Sequence, residues 1–369
     1  MVYRGTAELI GESGFPPSCT ERPMTLLALA ISAVIFPAGQ GLSTDYGRER
    51  SLRIVSEAKL ELETTAFEMT VDGEPADRKG GGPGDMAFEA SRRTVLVDQI
   101  LSGEGARPHK VRRTFETLAE KSALFFGEEA RDDEREGPLQ GLVLELTQDG
   151  EGAPKVEVVQ GNAPEDPALL EGHALFLALD ALLPSSEVAV DSSWELDDGS
   201  VKRALALALD PLLFPERKPE EGERGPGLRG SGMRGGSPMR YLANVQWKGK
   251  ATLIETGADK EGGEPCARIQ IELEGTGDLP ESPWRRGPER GFRFEPGGSA
   301  LPATAEGTVD VRLAGSLLVS TVRRIPVSLE LTGEMTTENE FERERDGRMF
   351  SMHHTQSGPV SFAVTVEEP

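Results

Sequence analysis

The sequence has little cysteine: only two of its 369 residues are Cys. Cys19 lies ahead of the export signal described below, so Cys266 stands alone in the predicted mature chain. This scarcity excludes an internal disulfide and a cysteine-based metal cluster from the mature protein. Cys266 begins a clean alternating segment, and we interpret it as a small buried hydrophobe rather than a reactive thiol.

The sequence is also short of positive charge. It carries 40 Lys and Arg against 63 Asp and Glu, a net charge of −23. Nucleic acids and anionic lipid surfaces bind cationic protein surfaces, so we expect neither as a general partner. The acidic excess is typical of a soluble, well-hydrated surface.

Histidine is scarce, with four in the chain. His353 and His354 are neighbours on a predicted strand, where adjacent side chains point to opposite faces and cannot chelate one ion. No serine has the Gly-x-Ser-x-Gly setting of a nucleophile elbow, and the acidic clusters lack the spacing of a calcium loop. The sequence therefore predicts no metal site and no cofactor, and it assigns no catalytic residue.

Long hydrophobic runs are absent except near the start. Met24–Ser43 has the pattern of a secretory signal: Arg22 supplies charge, Leu26–Phe36 is apolar, and small residues follow. The apolar run is too short for a transmembrane helix, and no later segment is predicted to span a membrane. We expect residues 1–41 to be removed after Gly41, and a start at Met24 would leave 1–23 untranslated. The predicted location is secreted or periplasmic.

Alternating apolar and polar residues fill most of the remaining chain and predict antiparallel strands in two regions, 44–165 and 239–369. In Leu52–Asp72 the apolar residues hold even positions up to Leu62, then shift to odd positions from Phe67. A phase change of one residue inside a strand predicts a β-bulge.

Between these regions, residues 166–215 favour helices. Pro167–Leu183 is apolar on nearly all sides of a helix, and Asp166 would cap its start. A second helix is predicted over Val201–Leu209, since Ala and Leu favour helix intrinsically. On the first helix, His173 and Asp180 share the one narrow polar strip, and Leu177 lies at the middle of an apolar face. These three residues are the candidate ligand-binding residues.

Residues 216–238 are rich in glycine, proline and charge and predict a flexible loop. The loop matches the Gly-x-Gly-x-x-Gly pattern of dinucleotide sites twice, at Gly225–Gly230 and Gly230–Gly235. That pattern requires a preceding strand and a following helix, and neither is predicted here. We interpret the segment as a loop without a phosphate site.

The predicted fold class is α+β: long antiparallel strands forming a bent sheet or half-barrel, or two related sheets, packed on a central pair of helices. This layout resembles the half-barrel proteins of the bacterial envelope that carry lipid or lipoprotein. The resemblance is one of layout and brings no functional residue with it.

Three functions are compatible with these observations. The first is a secreted or periplasmic, non-enzymatic envelope protein that binds an apolar small molecule or a protein partner. The second is a secreted hydrolase with a carboxylate-based site, in which His173 is the general base and Asp180 orients it. The third is a structural or assembly protein, which a filled core and an exposed apolar patch would favour.

Overall fold

A computed structural model describes residues 41–76, 86–127, 129–148, 150, 152–215, 237–259, 263–279, 304–345 and 347–369. The predicted signal up to residue 40 and the loop over 216–236, with both of its glycine patterns, lie outside the described residues. The expectations for those segments therefore stay predictions.

The described residues form one sheet of thirteen strands, paired antiparallel throughout. Along the sheet the strands follow the order β7-β6-β4-β3-β1-β13-β12-β11-β10-β9-β8, with β2 beside β1 and β5 beside β4. The strands are β1 Arg50–Val71, β2 Glu74–Pro75, β3 Met86–Glu104, β4 Arg107–Phe126, β5 Glu129–Glu136, β6 Val143–Thr147, β7 Lys155–Gln160, β8 Ser193–Leu196, β9 Gln246–Asp259, β10 Pro265–Asp278, β11 Thr304–Ser320, β12 Ile325–Arg345 and β13 Arg348–Glu367.

The alternation seen in the sequence explains the sheet. On β1 the residues at even positions from Leu52 to Leu62 are buried, and those between them are wholly or partly exposed. The register between β1 and β13 shifts between Thr64 and Ala66. The bulge predicted from the phase change is confirmed at that place, because one extra residue moves the next side chains to the other face.

The expected pair of central helices is wrong. Pro167–Leu183 contains only two short 3-10 turns, Pro167–Leu170 and Ala178–Leu182, although Asp166 does cap the first as predicted. Gly172 takes a left-handed φ of 74° between them, and the Leu177 backbone N–H donates to the Tyr46 hydroxyl at 2.7 Å instead of to a helical carbonyl. Tertiary contacts thus override helix propensity over this stretch.

The second predicted helix is also interrupted. Residues near Val201–Leu209 form two short helices, α1 Asp198–Ala204 and α2 Ala206–Leu209, which meet at Leu205. Asp197, rather than Ser200, caps the first of them. A third short helix, α3, covers Met239–Asn244. The described residues therefore form mostly antiparallel strands in one large sheet with a few short helices, and not a sheet packed on a helix pair.

The core lies between the inward face of the sheet and residues 166–215, which we call the central segment. Its buried side chains come from most of the long strands, the 3-10 turns and α1 and α2. Polar bonds add to this apolar contact: the Thr94 hydroxyl on β3 donates to the Leu207 carbonyl at 2.7 Å. Among the described residues, no helix is both long and apolar enough to cross a membrane.

Candidate functional site

A cavity of about 570 Å³ lies between the central segment and strands β1, β3 and β4. Apolar side chains make up much of its lining, among them Ile54, Leu96, Ala181 and Leu207. Phe176 also lines it and is 40% exposed, so part of the wall lies at the protein surface. The cavity opens into the apolar core that the described residues form.

Two charged residues lie in this apolar lining. Asp98 on β3 and Arg113 on β4 are directly paired across the two strands, and both are buried. The Arg113 Nε and Nη2 groups donate to the two Asp98 oxygens at 2.8 and 2.6 Å. Burial opposes the guanidinium charge, but the adjoining Asp98 carboxylate outweighs it and raises the pKa of Arg113. The pair forms a fixed, overall neutral polar patch in the cavity wall.

His173 lies beside this patch and is 7% exposed. Its Nε2 donates to the Leu169 carbonyl at 3.1 Å, and its ring centroid lies 5.9 Å from that of Phe115 on β4. Burial, together with the positive charge of Arg113, lowers the pKa of His173 to about 4. The imidazole is therefore neutral at pH 7.

Asp180 is held by the segment that precedes β1. The hydroxyls of Thr44 and Tyr46 each donate to one of its carboxylate oxygens. Burial raises the pKa of Asp180 to about 6, although these hydrogen bonds lower it in part. Because the Tyr46 hydroxyl also accepts the Leu177 N–H, the two segments are joined at adjacent points.

The three candidate residues all line the cavity, but they do not form the predicted strip. His173 binds a backbone carbonyl and Asp180 binds two hydroxyls, so each has its own partners. Leu177, which lies between His173 and Asp180 in the sequence, is buried and forms an apolar part of the cavity wall.

Sequence reasoning missed Asp98 and Arg113. The signal was present: Asp98 lies between Leu96 and Ile100 at the inward positions of β3, and Arg113 occupies the same phase of β4. A charged residue in the apolar phase of a strand must find a partner on the same face. Tyr46 and Thr44 had no comparable signal, since they precede the first strand.

A second buried charge cluster lies outside the cavity lining. Arg92 on β3 donates to Glu120 at 3.0 Å and to the Ala208 carbonyl at 2.8 Å, and its guanidinium lies 4.7 Å from the Phe214 ring centroid. Arg135 on β5 binds the other Glu120 oxygen and the Pro215 carbonyl. These contacts fasten the end of the central segment to the sheet, and we assign them a structural role.

Within the described ranges, no group of three or more His, Cys, Asp or Glu side chains could hold a metal ion. Comparison with known protein families and with curated protein sequences finds no match to this chain. The case for a function therefore depends on the chemistry of the cavity.

Proposed function

We propose that this is a secreted or periplasmic, non-enzymatic envelope protein that binds an apolar small molecule in the cavity. The observation that carries the proposal is a partly open cavity of about 570 Å³ in the apolar core. Small-molecule sites typically measure about 300–1,000 Å³ and combine an apolar lining with a few fixed polar groups. Transfer of an apolar ligand from water into such a lining is favourable.

The predicted export signal supports a location outside the cytoplasm. The hydrolase alternative has less support from the site. A general base needs a free, basic atom near the pH of the reaction, whereas His173 has a pKa of about 4 and both Asp180 oxygens already accept hydrogen bonds.

The first prediction tests occupancy of the cavity. Ala181 lines it and is partly buried, so Ala181→Phe should fill part of the space. We expect the affinity for the neutral fluorescent probe N-phenylnaphthylamine to fall by about tenfold or more, equivalent to about 1.4 kcal/mol. Fluorescence titration measures this.

Ala189→Phe is the matched control, because Ala189 is exposed and lies outside the lining. It should bind the probe as wild type does. The proposal is wrong if wild type does not bind the probe, or if both variants bind it equally well.

A further inference from the structure

The Arg113 guanidinium has hydrogen-bonding capacity beyond its bonds to Asp98. Nε and Nη2 bind the carboxylate, and no described residue provides an acceptor for Nη1. Arg113 lines the cavity and is 8% exposed. We take this small exposed part of its side chain to face the cavity. Arg113 Nη1 is not among the buried atoms that lack a partner, so it is open to a ligand, and a hydrogen bond from a charged donor is one of the stronger kinds.

His173 supplies the complementary group. A carbonyl oxygen can only accept, so the bond to Leu169 requires that Nε2 carries the proton. In the neutral ring Nδ1 is then an acceptor, and no described residue donates to it. Phe115, which is in contact with the His173 ring, lies two residues from Arg113 on the same face of β4. The donor and the acceptor therefore serve one region of the cavity.

The charges around this region favour neither an anionic nor a cationic ligand head. Arg113 and Asp98 neutralise each other, and the cavity lining also holds Arg203 and Asp210, which have opposite charges. Ionised Asp180 adds one negative charge, which repels an anion. Each carboxylate of the lining already has a partner for a cation to compete with: Asp98 and Asp180 accept hydrogen bonds from side chains, and Asp210 accepts one from the Leu212 N–H.

We propose, building on the binding function above, that the ligand is an uncharged amphiphile with a hydroxyl head. The hydroxyl accepts a hydrogen bond from Arg113 Nη1 and donates one to His173 Nδ1, while the apolar body lies along the Ala181 and Leu207 part of the lining. A hydroxyl is suited to this role because it carries both a donor and an acceptor on one atom.

Ligands with one chain length and different heads test the proposal by displacement of N-phenylnaphthylamine. Dodecanol should bind about tenfold more tightly than dodecanoate or dodecylammonium. Dodecyl methyl ether, which accepts but cannot donate, should bind more weakly than dodecanol. The preference for a hydroxyl head is wrong if an ion binds best or if all four bind equally, whereas failure of the probe itself to bind would overturn the binding function.

Variants at His173 test the hydrogen bond that the ligand hydroxyl donates to His173 Nδ1. His173→Phe should reduce the ratio of dodecanol to ether affinity to about one, because the acceptor is lost. His173→Gln keeps a donor and an acceptor and should restore the preference, whereas a purely structural role would lower both affinities together. His109→Phe, at an exposed position outside the lining, should keep the wild-type ratio. An unchanged ratio in His173→Phe would contradict the assignment.

Discussion

At the scale of single residues, burial acts in opposite directions on His173 and Asp180. It lowers the pKa of the imidazole from 6.5 to about 4 and raises the pKa of the carboxyl from 3.8 to about 6, because burial penalises whichever form is charged. Arg113 and Asp98 face the imidazole, while Tyr46, Thr44 and Arg50 face the carboxyl. Both groups are therefore neutral near pH 5, where the folded protein excludes their charges.

This arrangement predicts two opposing contributions to stability. The contribution of His173 is complete above pH 6.5 and is lost as the pH falls to about 4, because only the unfolded chain then binds the proton. The contribution of Asp180 is complete below pH 3.8 and is lost as the pH rises through about 6. Each contribution to the unfolding free energy amounts to about 3 kcal/mol. Between pH 4 and 6 one rises while the other falls, so their sum changes little with pH.

Urea denaturation across this pH range separates the two contributions. Relative to wild type, Asp180→Asn should gain stability more steeply as the pH rises from 4 to 6.5, since only the His173 contribution remains. His173→Gln should show the reverse change, with stability falling relative to wild type as the pH rises. Parallel curves for all three proteins would contradict the burial argument.

At the scale of elements, the sequence predicted strands well and helices poorly. The alternation in β1 predicted a strand because apolar residues with a two-residue period all lie on one face of a strand. The change of phase also predicted the bulge near Thr64. Pro167–Leu183 was misjudged because its apolar residues indicate burial without specifying a conformation. The bond from the Leu177 N–H to Tyr46 joins residues far apart in sequence, and helical periodicity contains no information about it. For the same reason the sequence identified residues of the cavity lining but not the Asp98 and Arg113 pair.

Close backbone contact between β11 and β12 gives a prediction for this pair of strands. A Cβ atom added to Gly315 would lie 1.8 Å from the Glu330 carbonyl oxygen of β12, so the two backbones must separate. Gly315→Ala should therefore cost about 1–3 kcal/mol of unfolding free energy, the usual range for overpacking. Chemical denaturation measures the cost.

Gly199→Ala is the control for this measurement. Gly199 lies within α1, and its added Cβ would meet only a side-chain oxygen at 3.6 Å. That change should be neutral or should stabilise the protein by up to about 1 kcal/mol, because Ala favours helix. Equal changes in unfolding free energy at the two glycines would show that the close contact between β11 and β12 does not require glycine at position 315.

At the scale of the whole described sheet, one strand joins the two halves of the chain. β13 pairs with β1 on one side and with β12 on the other. Its inward residues Val360, Phe362, Val364 and Val366 are all buried. The five strands from β7 to β1 lie on one side of this seam and the five from β12 to β8 on the other, and β13 and the central segment connect them.

Removal of β13 should destroy cooperative folding. A chain ending at Arg345 leaves the paired edges of both β1 and β12 without a neighbour, and unpaired edges promote aggregation. We expect loss of the near-ultraviolet circular dichroism signal and of a single denaturant transition. A chain ending at Glu367 keeps the strand and loses the ion pair from Glu368 to the largely buried Arg50, which keeps its bond to the Arg323 carbonyl, so it should still unfold in a single cooperative transition. Native-like unfolding of the shorter chain would refute the role of the seam.

The pairing of β1 with β13 also fixes when the protein can fold during its synthesis. β13 lies far beyond β1 in the sequence, so the pairing between these two strands cannot form until β13 has left the ribosome. Contacts between residues so distant in sequence form slowly, because a long chain must close before they gain any free energy. The seam between β1 and β13 should therefore form late in folding, after the strand pairs whose members are neighbours in the sequence.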